Sequence, residues 1–196
     1  MKHSLLILFF LLLISWQSKG QEIHKDYSHL SSKIDSILSK HKFNGVISIS
    51  IDSTNIYSTA IGFSDLVDET QIDLDDQFVI GSISKQITAV LILREYEKGK
   101  IGLNDTIDKF LTEINQPWLK EITIHQLLTH THGIIDLDKP LEFEQGSQFH
   151  YSQLGYKLLA QILLKITRKT FDNLSTELFE EYGLLNTFHP NNKELS

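Results

Sequence analysis

The spacing of apolar and polar positions changes period along the chain, and each change marks an element. Residues 27–41 repeat at helical spacing, with Leu30, Ile34, Ile37 and Leu38 on one face and serine, lysine and aspartate between them. That pattern predicts an amphipathic helix. From residue 45 to 51 the period falls to two: Ile47, Ile49 and Ile51 lie on one side, Ser48 and Ser50 on the other, as in a half-buried strand. Asp52-Ser53-Thr54-Asn55 is turn chemistry. Residues 56–61 return as a second strand, so the pair forms a hairpin. Its apolar face needs a helix over it, because two strands alone are marginal in water. Residues 62–77 read as a polar, acid-rich connection.

The stretch that follows, FVIGSISKQITAVLILREYEKG over residues 78–99, opens extended, turns at Gly81 and continues as a helix until Gly99. Between Ile87 and Leu93 it is apolar nearly all the way round, which predicts a helix buried in a core. Ile107, Phe110 and Leu111 mark a short helix. Thr123 and Gln126 form a capping-box pattern ahead of another, whose Leu127 and Leu128 are buried and which Gly133 ends. An acid-rich loop then runs to Tyr151. Tyr151-Ser152-Gln153 leads into a helix carrying Tyr156, Leu158, Leu159, Ile162, Leu163 and Ile166. Thr170 opens a last helix (Phe171, Leu174, Leu178, Phe179, Tyr182), which Gly183 stops. Helix, hairpin, then helices only: the fold class is α+β.

Composition adds the compartment. Residues 5–14 are an unbroken apolar run behind Lys2, and Ser18-Lys19-Gly20 supplies small residues of the kind a signal peptidase reads. The run is too short to span a bilayer comfortably, so residues 1–20 read as a signal peptide cleaved near Gly20, leaving residues 21–196 as one domain in the periplasm or secreted, with no membrane span. There is no cysteine, which excludes disulfides and thiolate metal sites. The net charge is −7, and the first 20 residues hold two of the lysines and no acid, so the mature chain is more acidic still. Charges are interspersed without a basic patch, which excludes nucleic acid as a partner.

Two residues at the mouth of the central helix carry chemistry. Ser82 falls in its first turn and Lys85 one turn on, on the same face. A hydroxyl beside an amine at a helix N-terminus makes a nucleophile-and-base pair: the helix dipole stabilises an oxyanion there and, with partial burial, favours the free-base lysine. The alternative is a serine that only caps the helix. His125, His130, His132 and His150 suggest a metal cluster, but they lack tetrahedral spacing and read better as a structural turn near the site, with no metal. The acids from Asp136 to Glu144 read as a solvated loop. The aromatic and leucine positions from 156 to 182 read as core, with no cofactor.

Three ordered segments then resemble a known family: Gly81-Ser82-Ile83-Ser84-Lys85-Gln86, His125-Gln126-Leu127-Leu128-Thr129-His130-Thr131-His132-Gly133-Ile134, and Gly146-Ser147-Gln148-Phe149-His150-Tyr151-Ser152-Gln153-Leu154-Gly155-Tyr156. Together they resemble the serine β-lactamase and penicillin-binding-protein superfamily, in the branch related to class C β-lactamases, over residues 43–187. The resemblance implies a hydrolase acting on an amide or ester (a β-lactam, a D-Ala peptide derived from peptidoglycan, or a small ester) through an acyl-enzyme on Ser82. Lys85 would be the proton partner of Ser82, Tyr151 the base of a Tyr-x-Asn motif, and the Ser82 backbone N–H one oxyanion donor. Gln153 stands where the family has asparagine and would be the substrate-binding amide, reaching one methylene further. Serine is usual where His132 stands. The family's last strands, one with a Lys/His-Thr-Gly type motif, have no counterpart after Phe188. This predicts a C-terminally truncated member holding only the N-terminal hairpin of the sheet. It would be active as it stands, or catalytically inactive, or one half of a split hydrolase that needs a complementing C-terminal chain.

Overall fold

The computed structural model describes residues 27–190. The expected signal peptide lies outside the described residues. The chain divides into two compact units, Met1–Asp76 and Gln77–Ser196.

In the first unit, α1 (Ser28–Lys40) is followed by β1 (Gly45–Ile51) and β2 (Thr54–Ile61), an antiparallel pair whose register runs from Gly45 opposite Ile61 to Ile51 opposite Thr54. The turn is tighter than the residues 52–55 expected. Asp52 and Ser53 alone make it, both with positive φ (48° and 66°), the two-residue geometry that matches the twist of a hairpin. The register shifts between Ile49 and Ser50. The Tyr57 hydroxyl donates to Asp35 Oδ1 at 2.5 Å, tying β2 to α1. The stretch expected to be a plain connection holds a second short ladder, β3 (Phe63–Asp65) with β4 (Thr70–Gln71). Two or three residues per strand are too few for alternation to register in the sequence. Asn44 braces its start, donating to the Phe63 carbonyl and accepting from the Phe63 N–H.

In the second unit, a 3-10 turn (Gly81–Ile83) runs directly into α2 (Ser84–Glu97); α3 (Ile124–Leu128), α4 (Gln153–Thr167) and α5 (Phe171–Glu181) follow, with 3-10 turns at Ile107–Lys109 and Pro117–Lys120. The expected short helix at 107 is the first of these 3-10 turns. Its N-terminal flank is pinned by Ile107 N–H donating to the Ile122 carbonyl. The apolar residues of all these pieces converge on one core: Leu91 and Ile92 from α2; Ile107, Leu111 and Trp118 from the turns; Ile124 and Leu127 from α3; Leu158, Leu159, Ile162 and Leu163 from α4; Leu174 and Leu178 from α5. Trp118 is buried, and its indole N–H donates to the Lys139 carbonyl at 3.1 Å.

Helix α2 departs from the expectation of all-round burial. It buries Thr88, Leu91, Ile92 and Glu95, while Ile83, Val90 and Leu93 stay exposed. Buried and exposed sets are on different faces of a 3.6-residue repeat. The expected extended opening does not reach Ile80, which is already in the helical region at φ −79°, ψ −6°. The Thr123 capping box forms with both bonds present. Three helices end in the same way. The N–H two residues past the cap reaches back to the third-last carbonyl: Lys100 to Glu95 after α2, Thr131 to Gln126 after α3, and Leu184 to Phe179 after α5. The residue between must be left-handed. It is Gly99 and Gly183 in two cases, but His130 (φ 58°) in the other, so α3 stops before the expected Gly133.

Candidate active site

Gly81, at φ 51°, bends the chain so that Ser82 leads into α2. A Cβ there would meet nothing, so glycine is required by backbone conformation and not by crowding. One turn later Lys85 directs its amine back toward the same end, with Nζ 3.5 Å from Ser82 Oγ. Tyr151 and Gln153 come from the start of α4, where the Ser152 hydroxyl accepts from the Gly155 N–H and caps the helix. The Tyr151 hydroxyl donates to Ser82 Oγ at 2.6 Å. Lys85 Nζ donates to Gln153 Oε1 at 2.6 Å and lies 4.8 Å from the Tyr151 ring centroid. All four sequence-predicted site residues therefore meet in one cluster, and Ser82 caps no helix: its hydroxyl is contacted from two sides, by Lys85 and Tyr151. Lys85, foremost, and then the Ser82 contact hold the Tyr151 phenol below its ordinary value. A phenol of lowered pKa, in contact with a serine hydroxyl, is suited to take that hydroxyl's proton.

The four histidines do not converge on one point as ligands would. His125 is exposed on α3, and His150 pairs with Glu142. Among the described residues no group of His, Cys, Asp or Glu could hold a metal ion. His132 is buried. Its Nδ1 accepts the Ile134 N–H at 2.9 Å, while Nε2 has no partner. Burial is the main reason its pKa falls from 6.5 to about 4, with the charges of His130 and His150 adding to it. Gly155 makes room for it, since a Cβ there would come within 2.4 Å of His132 Nε2. The acid loop is tied down locally: Asp136 accepts the Asp138 N–H and pairs with Lys139.

A model of the family described as beta-lactamase matches residues 30–194. The chain belongs to the beta-lactamase family. It is 27% identical over 186 residues to a penicillin-binding protein of Bacillus subtilis, covering 81% of this chain and 41% of that one. To the teichoic acid D-alanine hydrolase of Staphylococcus aureus it is 24% identical over 191 residues, covering 87% and 47%. Among solved structures, the D-alanine carboxypeptidase AmpC of Burkholderia cenocepacia superposes with a TM-score of 0.71 at 25% identity, over 81% of this chain and 48% of that one. The chain thus spans less than half the length of these relatives. The α+β class and the family resemblance are as the sequence indicated, and relatives of this chain are serine hydrolases.

Sequence reasoning missed what holds Tyr151 in place. His130 Nδ1 accepts the Ser152 N–H at 3.1 Å, and the His130 carbonyl accepts the His150 N–H at 2.9 Å. The signal was the same histidine-rich segment that had suggested a metal.

Proposed function

We propose that this protein is a secreted or periplasmic serine hydrolase that cuts an amide or ester through an acyl-enzyme on Ser82. The observation that carries the reading is the 2.6 Å contact between the Tyr151 hydroxyl and Ser82 Oγ, with Lys85 against both Ser82 and Gln153. Tyr151, as phenolate, takes the Ser82 proton while Oγ attacks the substrate carbonyl carbon. The carbonyl electron pair becomes an oxyanion, next to the Ser82 N–H at the positive end of α2. Collapse of that intermediate breaks the bond to the leaving amine or alcohol, which receives the proton from Tyr151. Water then repeats the cycle on the Ser82 ester and releases the acid. In this reading Lys85 is the cation that stabilises the phenolate, in place of the free base expected at the helix mouth, and Gln153 holds Lys85 through Oε1, leaving its amide N–H groups for the substrate. Substrate candidates are a β-lactam, a D-Ala peptide and a small ester, the middle one in keeping with the D-alanine chemistry named for two relatives.

The test is intact mass of the protein before and after a fluorophosphonate or a reactive β-lactam, with Ser82→Ala alongside. An adduct on the wild type that is absent from the variant supports the reading; folded protein without an adduct refutes it.

A second reading has one observation in its favour. Ile83, Val90 and Leu93 leave an apolar face of α2 exposed directly behind the nucleophile. A complementing chain that covers this face would make the protein one half of a split hydrolase, with acylation appearing only on mixing; without such a chain it would be an inactive relative.

A further inference from the structure

Four helices of the second unit end on a left-handed residue, glycine after α2 and α5 but His130 after α3 and Arg168 after α4. His130 sits at φ 58°, a conformation that strains a non-glycine residue. Its side chain uses that position. The residue is 9% exposed, and its ring stacks on Tyr156 at 5.0 Å, lies tilted against Tyr151 at 4.8 Å and meets the edge of Phe149 at 5.7 Å. The N–H groups of the residues on both sides of Tyr151 are bonded to this one residue: the His150 N–H to its carbonyl, the Ser152 N–H to its Nδ1.

The second bond fixes a protonation state. A backbone N–H can only donate, so Nδ1 must carry a lone pair, and the proton of the neutral ring is on Nε2. A proton added at Nδ1 would face the Ser152 N–H donor to donor. We propose that His130 is a positioning residue that sets Tyr151 against Ser82, and that it does so only as the neutral imidazole, so that acid disarms the site by protonating it. The proposal rests on the reading of Tyr151 as the proton acceptor of Ser82.

The surroundings favour the neutral form. Lys85 from α2 faces the same aromatic cluster, and its charge opposes a second cation, after burial, which is the larger cause of the lowered His130 pKa. From α4, Tyr151 and Tyr156 face the ring; as phenolate, Tyr151 would pull the other way. His132 and His150 are the titratable neighbours along the chain, the latter paired with Glu142. Acid sensitivity therefore sets in below the ordinary histidine value of 6.5.

The experiment is a titration of the full chain, carrying tyrosine labelled with carbon-13 at Cζ, from about pH 8 to about pH 4. Tyr151→Phe assigns the Tyr151 resonance, and the rate of fluorophosphonate labelling at Ser82 is read in parallel. Two variants separate the roles of His130. His130→Gly suits the backbone better yet removes the acceptor and the ring. His130→Asn tolerates a left-handed backbone and offers Oδ1 to the Ser152 N–H without titrating. The expected result is a Tyr151 resonance that shifts as His130 is protonated, a labelling rate about a hundred-fold lower in the folded glycine variant, and recovery of most of that rate in the asparagine variant without the acid limb. A glycine variant that labels as the wild type does, or an asparagine variant with the same acid midpoint, overturns the proposal. If no phosphonyl adduct forms on any protein, the reading of Ser82 fails, but the resonance still decides: movement with His130 supports the positioning and indifference refutes it.

Discussion

The Tyr151 hydroxyl meets Ser82 Oγ at 2.6 Å across a sequence separation of 69 residues. With the equally short contact of Lys85 Nζ to Gln153 Oε1, it links the entry of α2 to the start of α4. Removing the phenol oxygen alone isolates its contribution. Tyr151→Phe keeps the ring against His130 and is expected to lower the labelling rate of Ser82 by about a hundred- to ten-thousand-fold, with the melting temperature little changed. Equal labelling rates in the two proteins would remove Tyr151 from the proton path.

Gln153 reaches Lys85 with one methylene more than asparagine has. Gln153→Asn withdraws Oε1 from the 2.6 Å contact and frees the amine, so acylation is expected to slow by about ten-fold, as a lost hydrogen bond to a charged group would require. Stopped-flow labelling checks this. An asparagine variant that labels faster would show that the longer side chain restrains Lys85 instead of positioning it.

His132 makes stability depend on pH. Its folded pKa, about 4, is below the 6.5 of the free group, so the unfolded chain binds a proton that the folded chain refuses. The stabilising contribution is complete above pH 6.5 and is lost as pH falls toward 4, a range worth about 3 kcal/mol. Urea unfolding at both ends of that range should show the loss in the wild type and a much smaller one in His132→Ser. Parallel pH dependence in the two proteins would assign the acid sensitivity elsewhere.

Gly155 and His132 are matched in size. An added Cβ at 155 would stand 2.4 Å from His132 Nε2, too close for either atom. Gly155→Ala is expected to destabilise the protein by about 1–3 kcal/mol, and most of that cost should vanish when His132 is replaced by serine. A double-mutant cycle reads the coupling; additive effects would mean the ring moves aside freely.

The two faces of α2 should respond differently. Ile92→Ala in the core is expected to cost about 2–5 kcal/mol, whereas Val90→Ser on the exposed face should stay within about 0.5 kcal/mol. A large effect at Val90 would show that the face is covered in solution.

How far the sequence could be read differs from element to element. The capping box at Thr123 was legible because its partners are three residues apart and need nothing else. The closeness of Ser82 and Lys85 was legible for the same local reason, whereas Tyr151 and Gln153 entered through family resemblance. The one-sided burial of α2 was not, because periodicity reports which residues are apolar and not which of them acquire neighbours. The β3–β4 ladder was too short to show a period. The end of α3 was misplaced because a left-handed turn was sought at Gly133, where glycine makes it easy. The chain instead makes it at His130, where tertiary contacts of the ring outweigh the backbone cost.

Trp118 offers a further use of the fold. The sequence has two tryptophans, and the other, Trp16, falls within the expected signal peptide. Among the described residues Trp118 is the single indole, buried in the core of the unit that carries Ser82. Its emission is therefore an intrinsic optical reporter of that unit. With Trp16 removed, a fluorescence melt follows the unit that carries Ser82 while far-ultraviolet dichroism follows the whole chain, so a gap between the two curves would reveal the hairpin unit unfolding on its own.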